Sequence, residues 1–228
     1  MKILGFDKLS LVDYPGLTAA IIFAGGCNFR CPFCHNAGIV NQAEVEITEK
    51  EIFEYLIHRK SLIDSVCISG GEPTLYHDLP ELIKKIKDLG YKVKLDTNGT
   101  NPDMLKNLID ENLIDYVAMD IKNGMSCYSK TAGCAVVLLE KVQKSIEILK
   151  QNCIDYEFRT TLVKTFHNAS TIKEMGISIE GAKKLYLQKF VDNEHCLQSG
   201  LEEIDFKTAE SFKSILTKYV DSVELRGY

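Results

Sequence analysis

The sequence predicts an α/β fold, a partial (β/α)6 TIM-like barrel with a parallel sheet, in one domain spanning residues 1–228. Three observations predict it. Apolar, β-branched runs alternate with amphipathic helical patterns. No Pro/Gly/Ser-rich linker, low-complexity tract or short repeat divides the chain. Residues able to carry chemistry repeatedly stand just after a predicted strand, the edge at which α/β folds bind ligands.

The strand runs fall at 17–23, 65–68, 92–96, 116–120, 156–163, 184–188 and 222–225. Between them lie helices. Thr48 and Glu51 form a capping-box pattern ahead of an apolar stripe made by Ile52, Phe53, Leu56 and Ile57. Asp78 precedes Leu82, Ile83 and Ile86, and Gly90 ends that helix. Further helices are predicted at 102–109, 138–150, 170–177 and 208–219. Strand, helix, strand in succession requires crossovers and a parallel sheet. Six or seven such units are too few for a closed eightfold barrel, so the barrel is expected to be partial, with 17–228 forming it and 1–16 an N-terminal extension.

Composition bounds the function. With 45% hydrophobic and 26% charged residues the chain is globular in character, and a net charge of -5 gives no nucleic-acid footprint. The longest apolar runs are too short to span a bilayer, and the first residues lack a long apolar stretch, so a cytoplasmic protein is expected. Eight cysteines in such a chain point to a reducing compartment rather than a disulfide framework. Cys67, Cys127, Cys134, Cys153 and Cys196 are scattered singly and read as core or surface residues, whereas three others crowd together.

Those three, Cys27, Cys31 and Cys34, stand in Cys27-Asn28-Phe29-Arg30-Cys31-Pro32-Phe33-Cys34-His35-Asn36, after the first strong strand. Thiolates spaced three and then two residues apart on a tight loop can ligate three irons of a cubane, leaving the fourth iron open to a chelating ligand. A zinc site with His35 as fourth ligand is the competing reading; against it, structural zinc usually pairs two Cys-x-x-Cys knuckles, and the sequence has no second one. Phe29 and Phe33 suit either a hydrophobic shell around a metal centre or plain core packing.

The second strand ends in Ser69-Gly70-Gly71-Glu72-Pro73. Two glycines allow close approach to the backbone, and a carboxylate can take an ammonium group, although alone the segment would pass as a strand-to-helix turn. The third strand runs into Asp96-Thr97-Asn98-Gly99 and the fourth into Asp120-Ile121-Lys122. The fifth carries Arg159, an arginine on an apolar strand that needs a carboxylate or polar ligand beside it. His167 follows that strand and could face the site or simply meet solvent.

The Cys-x3-Cys-x2-Cys loop, with an aromatic before the third cysteine, resembles the signature of the radical S-adenosylmethionine superfamily. The resemblance implies a [4Fe-4S] cluster on Cys27, Cys31 and Cys34 and reduction of S-adenosylmethionine to a 5'-deoxyadenosyl radical. Gly70, Gly71 and Glu72 match the family's Gly-Gly-Glu-Pro motif, which implies that Glu72 receives the cofactor's amino group. Similarity to glycyl-radical activating enzymes implies cofactor contacts for Asn36, Asp96, Thr97, Asp120, Lys122 and Arg159. The family's histidine beyond the sixth strand has no match, since Gln188-Lys189-Phe190 stands there.

Ser10-Leu11-Val12-Asp13-Tyr14-Pro15-Gly16, the cysteine block, Arg159-Thr160-Thr161 and Glu224-Leu225-Arg226-Gly227 extend the resemblance to short activating proteins of anaerobic ribonucleoside-triphosphate reductase. It implies hydrogen-atom abstraction from a glycine of a partner enzyme, with flavodoxin or ferredoxin as electron donor. Activases of pyruvate formate-lyase or other glycyl-radical enzymes are alternatives. A small-molecule enzyme resembling 7-carboxy-7-deazaguanine synthase is another; it would need polar substrate groups inside the barrel, and the sequence shows none beyond the cofactor set.

Overall fold

The structure, a computed structural model, describes every residue except 152. One eight-stranded sheet follows chain order: β1 (Ile3–Tyr14), β2 (Leu17–Ala24), β3 (Ser65–Gly70), β4 (Lys92–Thr97), β5 (Tyr116–Asp120), β6 (Asp155–Leu162), β7 (Ala182–Lys189) and β8 (Val220–Arg226). From β2 to β8 every neighbouring pair is parallel, so these strands end on a common rim. Helices α1 (Ala37–Val40), α2 (Glu49–Arg59), α3 (Leu79–Asp88), α4 (Pro102–Asp110), α5 (Tyr128–Ala132), α6 (Leu139–Lys150), α7 (Ala169–Ser178) and α8 (Phe206–Leu216) occupy the crossovers. This is the α/β partial barrel that the alternation predicts.

Local chemistry fixes the helices. The Thr48 side chain accepts from the Glu51 backbone N–H and the Glu51 carboxylate accepts from the Thr48 backbone N–H, the predicted capping box of α2. α3 buries Leu79, Leu82, Ile83 and Ile86, one stripe at helical spacing. The strands' outward residues join this apolar layer; on β6, Tyr156, Phe158 and Leu162 are buried while Glu157, Arg159 and Thr161 face cavities inside the barrel.

The N-terminal stretch departs from expectation. Where no strand was expected, residues 3–14 form β1, antiparallel to β2, with Tyr14 packed on Tyr116 at 5.8 Å between ring centroids. Register shifts between Ile3 and Gly5, Asp7 and Ser10, and Ser10 and Tyr14 break the two-residue period that would mark the strand in sequence. β1 and β8 are the two edges of the sheet and do not pair with each other.

Candidate active site

The three close-spaced cysteines leave β2 through Gly25 and Gly26. Their loop is held by packing. Phe29 meets Tyr128 edge-on at 6.4 Å, and Phe33 packs against Phe166 and Phe190 at 5.9 and 6.5 Å. Backbone bonds reinforce it: the Arg30 N–H donates to Ala132 O at 2.9 Å, and Gln198 N–H to Pro32 O at 2.8 Å. The glycines of β3 lie directly against this loop. Gly71 N–H donates to Ala24 O and Glu72 N–H to Gly26 O, and a Cβ at Gly71 would stand 1.7 Å from Gly26 O. The Asn36 amide donates to Gly70 O at 3.1 Å, closing the loop onto the second motif.

A cavity of about 410 Å3 opens at the strand C-terminal rim. Cys27, Cys31, Cys34, Asn36, Gly70, Gly71, Asp96, Thr97, Asp120, Lys122 and Arg159 all line it, so sequence-distant motifs meet at one wall. Its charged groups form a chain. Arg159 Nε donates to Asp120 Oδ1 at 3.0 Å, Arg159 Nη1 to Asp96 Oδ2 at 3.2 Å, and Lys122 Nζ to Asp120 Oδ2 at 3.0 Å. Lys94, which stands in none of the motifs, pairs with the other oxygen of Asp96. Burial alone would raise the Asp120 carboxyl, but Arg159 and Lys122 outweigh it and bring it down to about 2. Asp96 is likewise lowered, by Arg159 and Lys94 against the effect of burial.

Glu72 does not line the cavity. It is fully buried, and its carboxylate accepts from Thr74 N–H at 3.2 Å, Thr97 Oγ1 at 2.7 Å and Asn98 N–H at 2.7 Å, as well as from Thr74 Oγ1. Four donors leave it bracing the β3 and β4 loops rather than pointing at a ligand. The extended backbone at Glu72 turns the side chain back over Pro73–Leu75, a geometry that spacing does not reveal.

His35 stacks on Phe190 and bonds the Val191 carbonyl at 2.7 Å through Nε2, so its ring is engaged away from the cysteines. His167 is buried, accepts from Val163 N–H at Nδ1 and donates from Nε2 to Lys122 O; burial lowers its pKa and keeps it neutral. Cys134 lies against the cysteine loop, its thiol donating to Asn28 O at 3.3 Å. Gln188 lines the cavity where the family's histidine is lacking.

A second cavity of about 530 Å3 lies beside the first and shares Asp13, Arg159 and Gln188 with it. Lys94, Glu157 and Arg226 complete its polar lining, with Arg226 Nη1 3.5 Å from Glu157 Oε1. The barrel interior is therefore more polar than the sequence suggests. These residues are spread over three strands, each among apolar neighbours, and only the shared inward register brings them together.

The donor set fits an iron–sulfur cubane. All three thiols are free and face one cavity, with no carboxylate or imidazole interposed as a fourth ligand. Among the described residues no three His, Cys, Asp or Glu side chains converge closely enough to share a single metal ion. A cubane asks for less convergence, because its cysteines bind different irons. Burial pushes the Cys27 thiol up to about 12, aided by the Glu72 charge, and the Cys31 thiol up to about 11, so metal must displace protons there.

Residues 21–175 match the radical SAM superfamily. A Methanocaldococcus jannaschii protein named as a glycyl-radical enzyme activating enzyme is 32% identical over 97% of this chain and 94% of its own length. The 7-carboxy-7-deazaguanine synthase of Methanopyrus kandleri is 26% identical over 81% of this chain and 78% of its own. Among solved structures, Streptococcus suis SuiB bound to S-adenosylmethionine superposes with a TM-score of 0.70 at 15% identity, covering 91% of this chain; the chain spans about half of SuiB's length, 50%. With the family match covering most of the barrel and the cysteine loop seated on its rim, the chain belongs to the radical S-adenosylmethionine superfamily, whose enzymes work with a [4Fe-4S] cluster and S-adenosylmethionine.

Proposed function

We propose that the chain is an activase that cleaves S-adenosylmethionine reductively and removes a hydrogen atom from a glycine of a partner enzyme, the partner being anaerobic ribonucleoside-triphosphate reductase and the electron donor a flavodoxin or ferredoxin. The observation that carries the reading is the near full-length similarity to the M. jannaschii activating enzyme.

Cluster and cofactor supply the electron transfer and the bond cleavage when bound; the chain's residues bind, orient and exclude water. Cys27, Cys31 and Cys34 are the cluster ligands. The backbone of Gly70 and Gly71, with Asn36, forms the wall nearest the cysteines and suits the cofactor's amino-acid end. Asp96, Thr97, Asp120, Lys122 and Arg159 present fixed charges and hydroxyls to its remaining polar groups. Because Arg159 holds both aspartates, neither needs to reorganise when a ligand enters. Glu72 acts from behind, fixing the loop that carries Thr97 and Asn98. The unpaired edges β1 and β8 leave the barrel unclosed, which suits a glycine-bearing loop entering from the side.

The test is anaerobic reconstitution with S-adenosylmethionine, a reductant and a co-encoded glycyl-radical protein. A glycine-centred doublet by electron paramagnetic resonance is expected, lost in Cys31→Ala together with cluster and 5'-deoxyadenosine; 5'-deoxyadenosine formation retained in that variant would refute the assignment. The second cavity favours one further reading, a small-molecule radical enzyme like the synthase relative, since Lys94, Glu157 and Arg226 could hold a polar substrate. Turnover of a deazapurine precursor without any partner protein would select it.

A further inference from the structure

Asn98 is 5% exposed beside the cysteine loop, in the turn after β4 and just before Gly99. Its orientation is fixed on both sides. Oδ1 accepts from Thr100 N–H at 3.0 Å and from Thr100 Oγ1 at 2.7 Å, so the amide nitrogen must face the other way. There Nδ2 donates to Asn28 Oδ1 at 2.8 Å and lies 3.9 Å from Cys27 Sγ. Asn28 closes the ring by donating from Nδ2 to Thr100 Oγ1 at 2.9 Å. The backbone of Asn98 is pinned separately, its N–H donating to Glu72 Oε2 at 2.7 Å.

We propose that Asn98 is a positioning residue that holds Cys27 in place and, through its amide N–H aimed at Sγ, raises the reduction potential of the cluster that Cys27 ligates. The inference rests on reading Cys27 as a cluster ligand. A donor directed at a ligand sulfur stabilises the additional negative charge of the reduced cluster, and such contacts are among the levers that set potential. The Phe29 N–H, 3.3 Å from the same sulfur, supplies a backbone contact that no side-chain substitution removes. Asn98 is thus the adjustable part. At 3.9 Å its contribution comes as much from the fixed amide dipole as from a short bond, so the Asn28–Thr100 ring that stops the amide rotating is part of the device.

The experiment is a redox titration of the anaerobically reconstituted full chain, followed by electron paramagnetic resonance, with iron and sulfide counted on the same samples. Asn98→Ala is expected to move the midpoint to more negative potential while keeping wild-type iron and sulfide. Thr100→Val, which keeps the amide but loosens its anchor, is expected to move it the same way by less. Wild-type midpoints in both variants overturn the inference. Should Asn98→Ala lose iron, Thr100→Val decides: a full cluster with an unmoved midpoint overturns it, and a negative shift supports it. A Cys27→Ala variant that keeps full iron and sulfide would instead overturn the ligand reading beneath, a result distinct from an unmoved midpoint.

Discussion

Arg159 and Asp120 are partners twice over: they stand opposite each other in the β5–β6 register, and Arg159 Nε donates to Asp120 Oδ1 at 3.0 Å. The same guanidinium reaches Asp96, so one cation separates two carboxylates inside the barrel. Removing it leaves Asp96 with only Lys94 and Asp120 with only Lys122, each carboxylate short of one charged partner inside the barrel. Arg159→Ala is therefore expected to destabilise the metal-free protein by about 3 kcal/mol. Urea denaturation measures this, and pairing the substitution with Asp120→Ala should recover part of the loss, because one of the stranded charges is then gone.

The same pair makes stability depend on acid. The folded-state carboxyl of Asp120 lies at about 2, below its ordinary value of 3.8, so the contribution is complete above pH 4 and is lost as pH falls through the interval down to about 2. The lost part is about 2 kcal/mol by linkage. Urea midpoints of the metal-free wild type should fall across that window, while Asp120→Asn should start lower and fall less.

Glu72 gives a test of where a motif's carboxylate acts. Replacing it with alanine strands the hydroxyls of Thr74 and Thr97 and the N–H groups of Thr74 and Asn98 in a buried loop. The expected cost is about 3–5 kcal/mol, seen in metal-free protein without any cofactor. Unchanged stability of Glu72→Ala would mean that its four donors find other partners and that its role lies with ligand after all.

Gly71→Ala should damage the site without touching a ligand. Its Cβ would meet Gly26 O at 1.7 Å, a backbone atom that cannot swing aside, so the cysteine loop itself has to move. Iron and sulfide bound per chain after reconstitution should drop severalfold, whereas Gly16→Ala, with nothing within 4 Å of its Cβ position but a positive φ, should cost stability and leave iron content unchanged.

How much of this was legible in the sequence follows from which interactions are local. The strands from β2 to β8 are short apolar or β-branched runs between capped helices, and each shows as such. β1 was hidden because bulges at Gly5 and around Ser10 destroy its alternation. Eleven of the residues marked by motif, from Cys27 to Arg159, line one cavity, because each follows or closes a parallel strand and such strands share a rim. Glu72 failed that logic. Its direction is set by the backbone angle at one turn, φ -131° and ψ 101°, and by donors from Thr97 and Asn98 that arrive from another strand. That Lys94, Glu157, Gln188 and Arg226 share one cavity does not show in the sequence for a related reason: inward register, not spacing, makes them neighbours.

The aromatic anchoring of the cysteine loop has a consequence for how the protein matures. Phe29 and Phe33 reach Tyr128, Phe166 and Phe190, which come from segments spread over the rest of the barrel, so the loop acquires its shape only after most of the chain has condensed. The receptacle is thus moulded by oily rings of the protein itself, and the metal-free chain is expected to keep the loop's shape.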